Sequence, residues 1–190
     1  HARTTRRLVA LLCDNGLSDT EAHSLCKTWL LCDDFLLCEL GTEFDFVVGN
    51  PPYVRQERIP AALLSEYRAR FNTLYDRADL YVPFYERALD LLKSDGTLGF
   101  ICANRWLKNK YGGPLRNKIA SGFHVTHFID MEDVDAFHAD VIAYPAITLI
   151  ERAKGGATMV AERPEIDGDK LSRLAKAMRV SEPVQRQLEV

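Results

Sequence analysis

The chain has 190 residues, 47% hydrophobic and 27% charged, with a formal charge of −3. This is the composition of an ordinary globule, one domain or one domain plus a tail; it excludes a uniformly basic nucleic-acid coat but not a local basic groove. No apolar run reaches the roughly 20 residues of a membrane span, and the basic-then-apolar stretch 1–12 lacks a secretory cleavage site, so a cytoplasmic protein is expected.

Residues 4–12 read as the end of a helix stopped by Asp-Asn-Gly at 14–16. Ser18 and Glu21 then have the spacing of a capping box, which opens a second helix running to about Leu30. A short acidic segment, "DDFLL" at 33–37, precedes a turn at Gly41 and Thr42. "FDFVV" at 44–48 has the β-rich, apolar character of a buried parallel strand. It must end at Gly49, because the two prolines that follow supply no amide donors to a sheet.

Residues 54–77 are charged and aromatic. A helix with an apolar face is expected over 78–92, then strands at 97–103 and 124–131, a short Pro-started helix at 114–120 and a strand over 141–152. Residues 157–167 look irregular and 168–178 helical. This alternation predicts an α/β domain with a mainly parallel sheet, in which sites lie beyond the carboxyl ends of strands. "GNPPY" at 49–53 occupies that position.

The chemistry of that turn suits a planar exocyclic amine. Such an amine is a poor nucleophile because its lone pair is delocalised into the ring. Two acceptors aimed at its two hydrogens draw the lone pair out: the Asn50 side-chain carbonyl and the backbone carbonyl of Pro51, held by the restricted φ angles of Pro51 and Pro52. Tyr53 offers a flat face for stacking a base. The four residues also fit a merely rigid turn with an aromatic packed beneath it.

"DFVVGNPPYV" resembles motif IV of the gamma-type S-adenosylmethionine-dependent DNA adenine-N6 methyltransferases, as in large combined restriction–modification (type IIG-like) proteins and related phage-defence methylases. "DDFLL" resembles the acidic motif III, which implies that Asp34 and Phe35 contact the cofactor adenine. "ADLYVPFYERALDLLKSDGTLGFICANRWL" at 78–107 resembles motifs V and VI, which implies Leu80 (with Asn50) at the cofactor and Arg105 and Trp106 at the base pocket. The segment 134–152 resembles the motif VIII hairpin, with Phe137 against the far face of a flipped adenine.

The resemblance implies a partial Rossmann-like class I methyltransferase fold with a C-terminal antiparallel hairpin. It also implies methyl transfer from S-adenosylmethionine to adenine N6 in double-stranded DNA, with no metal. Residues 1–30 would be a helical lead-in, 31–152 the catalytic part, and 153–190 a linker or the start of a target-recognition domain. The glycine-rich cofactor motif of that family is not visible in residues 1–30. A fragment is therefore expected, with a cofactor-binding segment upstream, a target-recognition domain downstream, room for a fused nuclease, and little activity from this piece by itself.

Two other readings fit the same turn: a methyltransferase acting on RNA adenine or protein glutamine, and a degenerate, non-catalytic DNA-binding module. The five cysteines match no zinc spacing and read as free thiols. His124, His127 and His138 read as surface or packing residues. The arginines at 55, 58, 68, 70 and 77, together with Arg105, Lys108, Lys110, Arg116 and Lys118, are equally a solvated surface or grips for DNA phosphates.

Overall fold

The structure, a computed structural model, describes residues 1–132, 134 and 145–179. The chain packs as two units, His1–Glu39 and Leu40–Val190. The first is a helix pair, α1 (Ala2–Asp14) and α2 (Asp19–Trp29). They bury Val9, Ala22 and Cys26 between them, with Leu8, Leu12, Leu17 and Leu30 at the margin. The capping box is formed: Ser18 N–H donates to Glu21 Oε2 at 2.9 Å, and Glu21 N–H donates to Ser18 Oγ at 3.4 Å.

Among the described residues the second unit holds a five-stranded sheet in the order β1-β2-β4-β3-β5. Its strands are β1 (Phe44–Gly49), β2 (Leu92–Ala103), β3 (His124–Asp130), β4 (Pro145–Glu151) and β5 (Met159–Glu162). The pairings β1–β2 and β3–β5 are parallel, and β4 lies antiparallel between β2 and β3. Four strands therefore share one direction, with β4 opposed to them and forming an antiparallel pair with the preceding β3. This is the expected α/β architecture with its mainly parallel sheet and hairpin.

Between β1 and β2 the chain forms α3 (Ala61–Arg70) and α4 (Tyr81–Asp90). Helix α4 has its apolar residues at helical spacing and buries Tyr81, Val82, Tyr85, Ala88 and Leu89. Pro83 is tolerated because it lies in the first turn, where no intrahelical amide bond is lost. On β2, alternate residues Leu98, Phe100 and Cys102 are buried. Tyr85 packs edge-on to Phe100 with ring centroids 5.0 Å apart, which joins α4 to that face. Helix α5 (Gly113–Gly122) carries Pro114 in its first turn, and α6 (Gly168–Ala177) is capped by the Asp167 carboxylate.

Three features differ from the sequence reading. First, β1 is an edge strand rather than a buried one: it pairs on one side with β2, and Phe46 and Val48 are 73% and 82% exposed. Second, residues 159–162 are not irregular but extend the sheet as β5, parallel to β3. Third, the charged stretch after Tyr53 contains the helix α3, anchored by buried Ile59, Tyr67, Phe71 and Leu74. The first part of the expected strand 141–152 lies outside the described residues.

Candidate active site

Gly49 ends β1, and the chain leaves the carboxyl end of the sheet through Asn50–Val54. Two backbone bonds shape the exit. Val54 N–H donates to Pro52 O at 3.0 Å, making a tight turn, and Leu80 N–H donates to Val54 O at 2.9 Å, tying the turn to the start of α4. Pro51 is buried, Pro52 half-buried, and Asn50 exposed. Tyr53 is 39% exposed, so part of its ring remains accessible.

The Pro51 carbonyl is not left to itself. Cys102, on the adjacent parallel strand and 1% exposed, points its thiol at Pro51 O across 4.0 Å. Burial pushes that thiol up to about 12, so it stays protonated and serves as a weak donor. Tyr53 sits beside the same thiol, and burial also raises its hydroxyl above the ordinary tyrosine range.

Asp79 precedes Leu80 at the mouth of α4. Burial raises its carboxyl, while the nearby positive charges of Arg105 and Arg55 oppose that shift. The loop after β1, the start of α4 and the loop after β2 thus converge on one end of the sheet. The structure brings together Asn50, Pro51, Pro52, Tyr53 and Leu80 there, with Arg105 across from Asp79. Cys102 and Asp79 were not picked out from sequence; the available signals were one thiol on the core strand and an acid next to Leu80.

Trp106 differs from its expected place at a base. Its side chain is 2% exposed and packs against Tyr85, with ring centroids 5.5 Å apart. An indole so enclosed has no face to offer a base; it anchors the loop instead. Phe137 lies outside the described residues, as does His138. Asp34 and Phe35 belong to the first unit, both half-buried. Leu36 N–H donates to Asp34 Oδ1 at 2.8 Å and fixes the direction of the carboxylate.

The basic residues sort by partner. Arg68 donates to Gln56 Oε1 at 2.8 Å, Arg70 to Glu66 at 2.8 Å, and Lys118 to Asp90 at 2.6 Å. Arg116 donates to Trp106 O at 2.5 Å and to Asn109 O at 2.9 Å. His124 and His127 tie the later chain to β3: His124 bonds Gly156 N–H at 3.1 Å and Ala157 O at 3.0 Å, and His127 bonds Met178 O at 2.8 Å. Among the described residues no group of His, Cys, Asp and Glu is arranged to hold a metal ion, and no helix is long and apolar enough to cross a membrane. The five cysteines are free thiols.

A sheet with one reversed strand, and an Asn-Pro-Pro-Tyr turn beyond the carboxyl end of one of its parallel strands, define a methyltransferase-type α/β domain. The chain belongs to the Eco57I restriction-modification methylase family, whose sequence pattern matches residues 11–137. It is 59% identical over 172 residues to the type II methyltransferase M.PaeR7I of Pseudomonas aeruginosa, covering 90% of this chain and 30% of that protein. Over 175 residues it is 57% identical to the type II methyltransferase M.XhoI of Xanthomonas vasicola, covering 90% of this chain and 32% of that one. The chain thus spans about a third of the length of these relatives.

Among solved structures, the fold matches a Listeria monocytogenes protein assigned to the class I S-adenosylmethionine-dependent methyltransferases. That match has a TM-score of 0.60 at 16% identity, covering 75% of this chain and 44% of that one. The type IIL restriction–modification enzyme MmeI, solved in complex with DNA, matches with a TM-score of 0.52 at 18% identity over 65% of this chain and 17% of that one.

Proposed function

We propose that this chain carries the base-holding part of an S-adenosylmethionine-dependent methyltransferase acting on adenine N6 in double-stranded DNA. The observation that carries the reading is the turn itself: an accessible Asn50 amide and a Pro51 carbonyl held by its ring and by the Cys102 thiol, at the carboxyl end of β1. Membership of the Eco57I restriction-modification methylase family supports it.

In this reading the Asn50 side-chain carbonyl and the Pro51 carbonyl accept the two hydrogens of the adenine amine. They stabilise the positive charge that grows on nitrogen as its lone pair leaves the ring. Asn50 positions and stabilises; a neutral amide does not take up a proton near neutral pH. Tyr53 stacks on a base flipped out of the duplex, and the family resemblance assigns Phe137, outside the described residues, to the opposite face of that base. S-Adenosylmethionine supplies an electrophilic methyl group when bound. The cofactor residues of this reading are Asp34 and Phe35 in the first unit, for the cofactor's adenine, and Leu80 and Asn50 in the second.

The domain reading keeps residues 1–30 as a helical lead-in, 31–152 as the catalytic part and 153–190 as a linker or the start of a target-recognition domain. The exposed Phe46 and Val48 on edge strand β1 support a further cofactor-binding segment of the same cytoplasmic protein docking there. An attached nuclease is compatible with this arrangement.

The test is to incubate the whole protein with labelled S-adenosylmethionine and, in parallel, unmethylated duplex DNA, RNA and protein, then to analyse the nucleosides by mass spectrometry. N6-methyladenine in DNA is expected. Label confined to RNA or protein, or none in any substrate, would overturn the reading.

A further inference from the structure

The loop that leaves β2 is a fixed platform. Two 3-10 turns, Arg105–Leu107 and Lys110–Gly112, follow one another. The Arg116 guanidinium reaches back from α5 to bind two of the loop's carbonyls, Trp106 O at 2.5 Å and Asn109 O at 2.9 Å. Gly112 lies so close that a Cβ there would be 1.9 Å from Trp106 O. The indole of Trp106 is locked in the core. A loop held at so many points presents its remaining side chains in a set arrangement.

Those side chains line a recess of about 310 Å³, formed by Asn104, Arg105, Lys108, Asn109 and Glu132. Asn104 forms part of its lining. It is only 6% exposed, with its side chain held in the wall of the recess. Asn50 and Asn104 leave the carboxyl ends of β1 and β2, two adjacent parallel strands, so the recess opens on the same end of the sheet as the Asn-Pro-Pro-Tyr turn.

Four of the five lining residues carry side-chain hydrogen-bond donors and two of them are cations, which suits an oxyanion. Glu132 is the exception, a carboxylate on the same wall. Resting on the DNA reading above, we infer that this recess seats a backbone phosphodiester of the substrate close to the flipped base. Asn104 supplies a neutral donor, Arg105 and Lys108 supply the charge, and Glu132 weakens the grip. A nucleobase edge, which needs acceptors as well as donors, would instead gain from Glu132. The sign of a Glu132 substitution therefore separates the two ligands.

The experiment measures duplex DNA affinity of the whole protein across salt concentrations, for wild type, Lys108→Ala, Glu132→Gln and Lys118→Ala. Lys108 is exposed, so its removal leaves packing intact. Lys108→Ala is expected to weaken DNA binding several-fold, similarly on all sequences, and to lower the salt slope by about one. Glu132→Gln is expected to tighten binding. Lys118→Ala, whose charge is already paired with Asp90, should leave the slope unchanged.

Wild-type slope in Lys108→Ala, or weaker binding by Glu132→Gln, would overturn the phosphate assignment. If either occurs while wild type still methylates DNA, the inference falls and the proposed function stands. Absence of DNA binding by wild type removes both.

Discussion

The Cys102 thiol faces the Pro51 carbonyl across 4.0 Å, and this contact joins the core strand β2 to the turn that follows β1. A carbonyl has two acceptor directions. With one turned to the buried thiol, the other keeps a defined aim toward whatever enters the site. An amine-polarising role needs such a fixed aim, because a wandering acceptor would have to be reorganised during the reaction.

Cys102→Ala should therefore lower turnover more than it alters cofactor affinity. A weak hydrogen bond of about 0.5–1.5 kcal/mol corresponds to a loss of about two- to tenfold. Cys102→Ser, which keeps a donor, should recover part of it. Steady-state kinetics with separately measured cofactor binding check this; equal turnover in all three proteins would remove Cys102 from the turn's support.

Stability should respond to alkali through the same residue. Its thiol is raised from an ordinary value of 9.0 to about 12, chiefly by burial. Between those values the folded state holds a proton that the unfolded state releases. The stabilisation is thus complete below pH ~9 and is lost as pH rises toward ~12. The melting temperature should fall from pH 8 to pH 10, and fall less in Cys102→Ala; identical pH dependence in the two proteins would contradict the assignment.

Gly112→Ala should be costly out of proportion to one methyl group. The new Cβ would overlap the Trp106 carbonyl, and relief requires moving a backbone that Arg116 also holds. Overpacking of this kind costs about 1–3 kcal/mol or more. Denaturant unfolding should show the loss, with weaker DNA binding as the recess distorts; a neutral effect would mean that the loop is not rigid.

Local signals were read correctly where the cause was local. Ser18 and Glu21 specified the start of α2 because a capping box is complete within four residues. Phe44–Val48 and the two prolines located the end of β1 because proline cannot continue a ladder. What depended on distant partners was not readable. Phe46 and Val48 looked buried, but burial depends on which strands flank β1. Trp106 looked like a base contact because its motif lies at the site, yet the side chain turns inward to Tyr85. Arg116 looked like a phosphate grip, and its two carbonyl partners appear only when α5 is folded against the loop. Residues 159–162 carry too little periodicity to announce a strand that exists through pairing with β3.

Ser18→Ala should destabilise the helix pair by about 1 kcal/mol, since it exposes the Glu21 amide that the hydroxyl caps. Amide hydrogen exchange across residues 18–29 checks this, with faster exchange expected there and little change in β2. Unchanged exchange would show that packing around Cys26, rather than the cap, sets the helix start.

The central claim is that Asn50 holds the amine that receives the methyl group. The direct measurement is single-turnover methyl transfer by Asn50→Ala in the whole protein, with S-adenosylmethionine affinity measured on the same preparation. The account predicts a fall of about a hundredfold or more in transfer rate with cofactor affinity nearly retained. Near-native transfer by Asn50→Ala would contradict it.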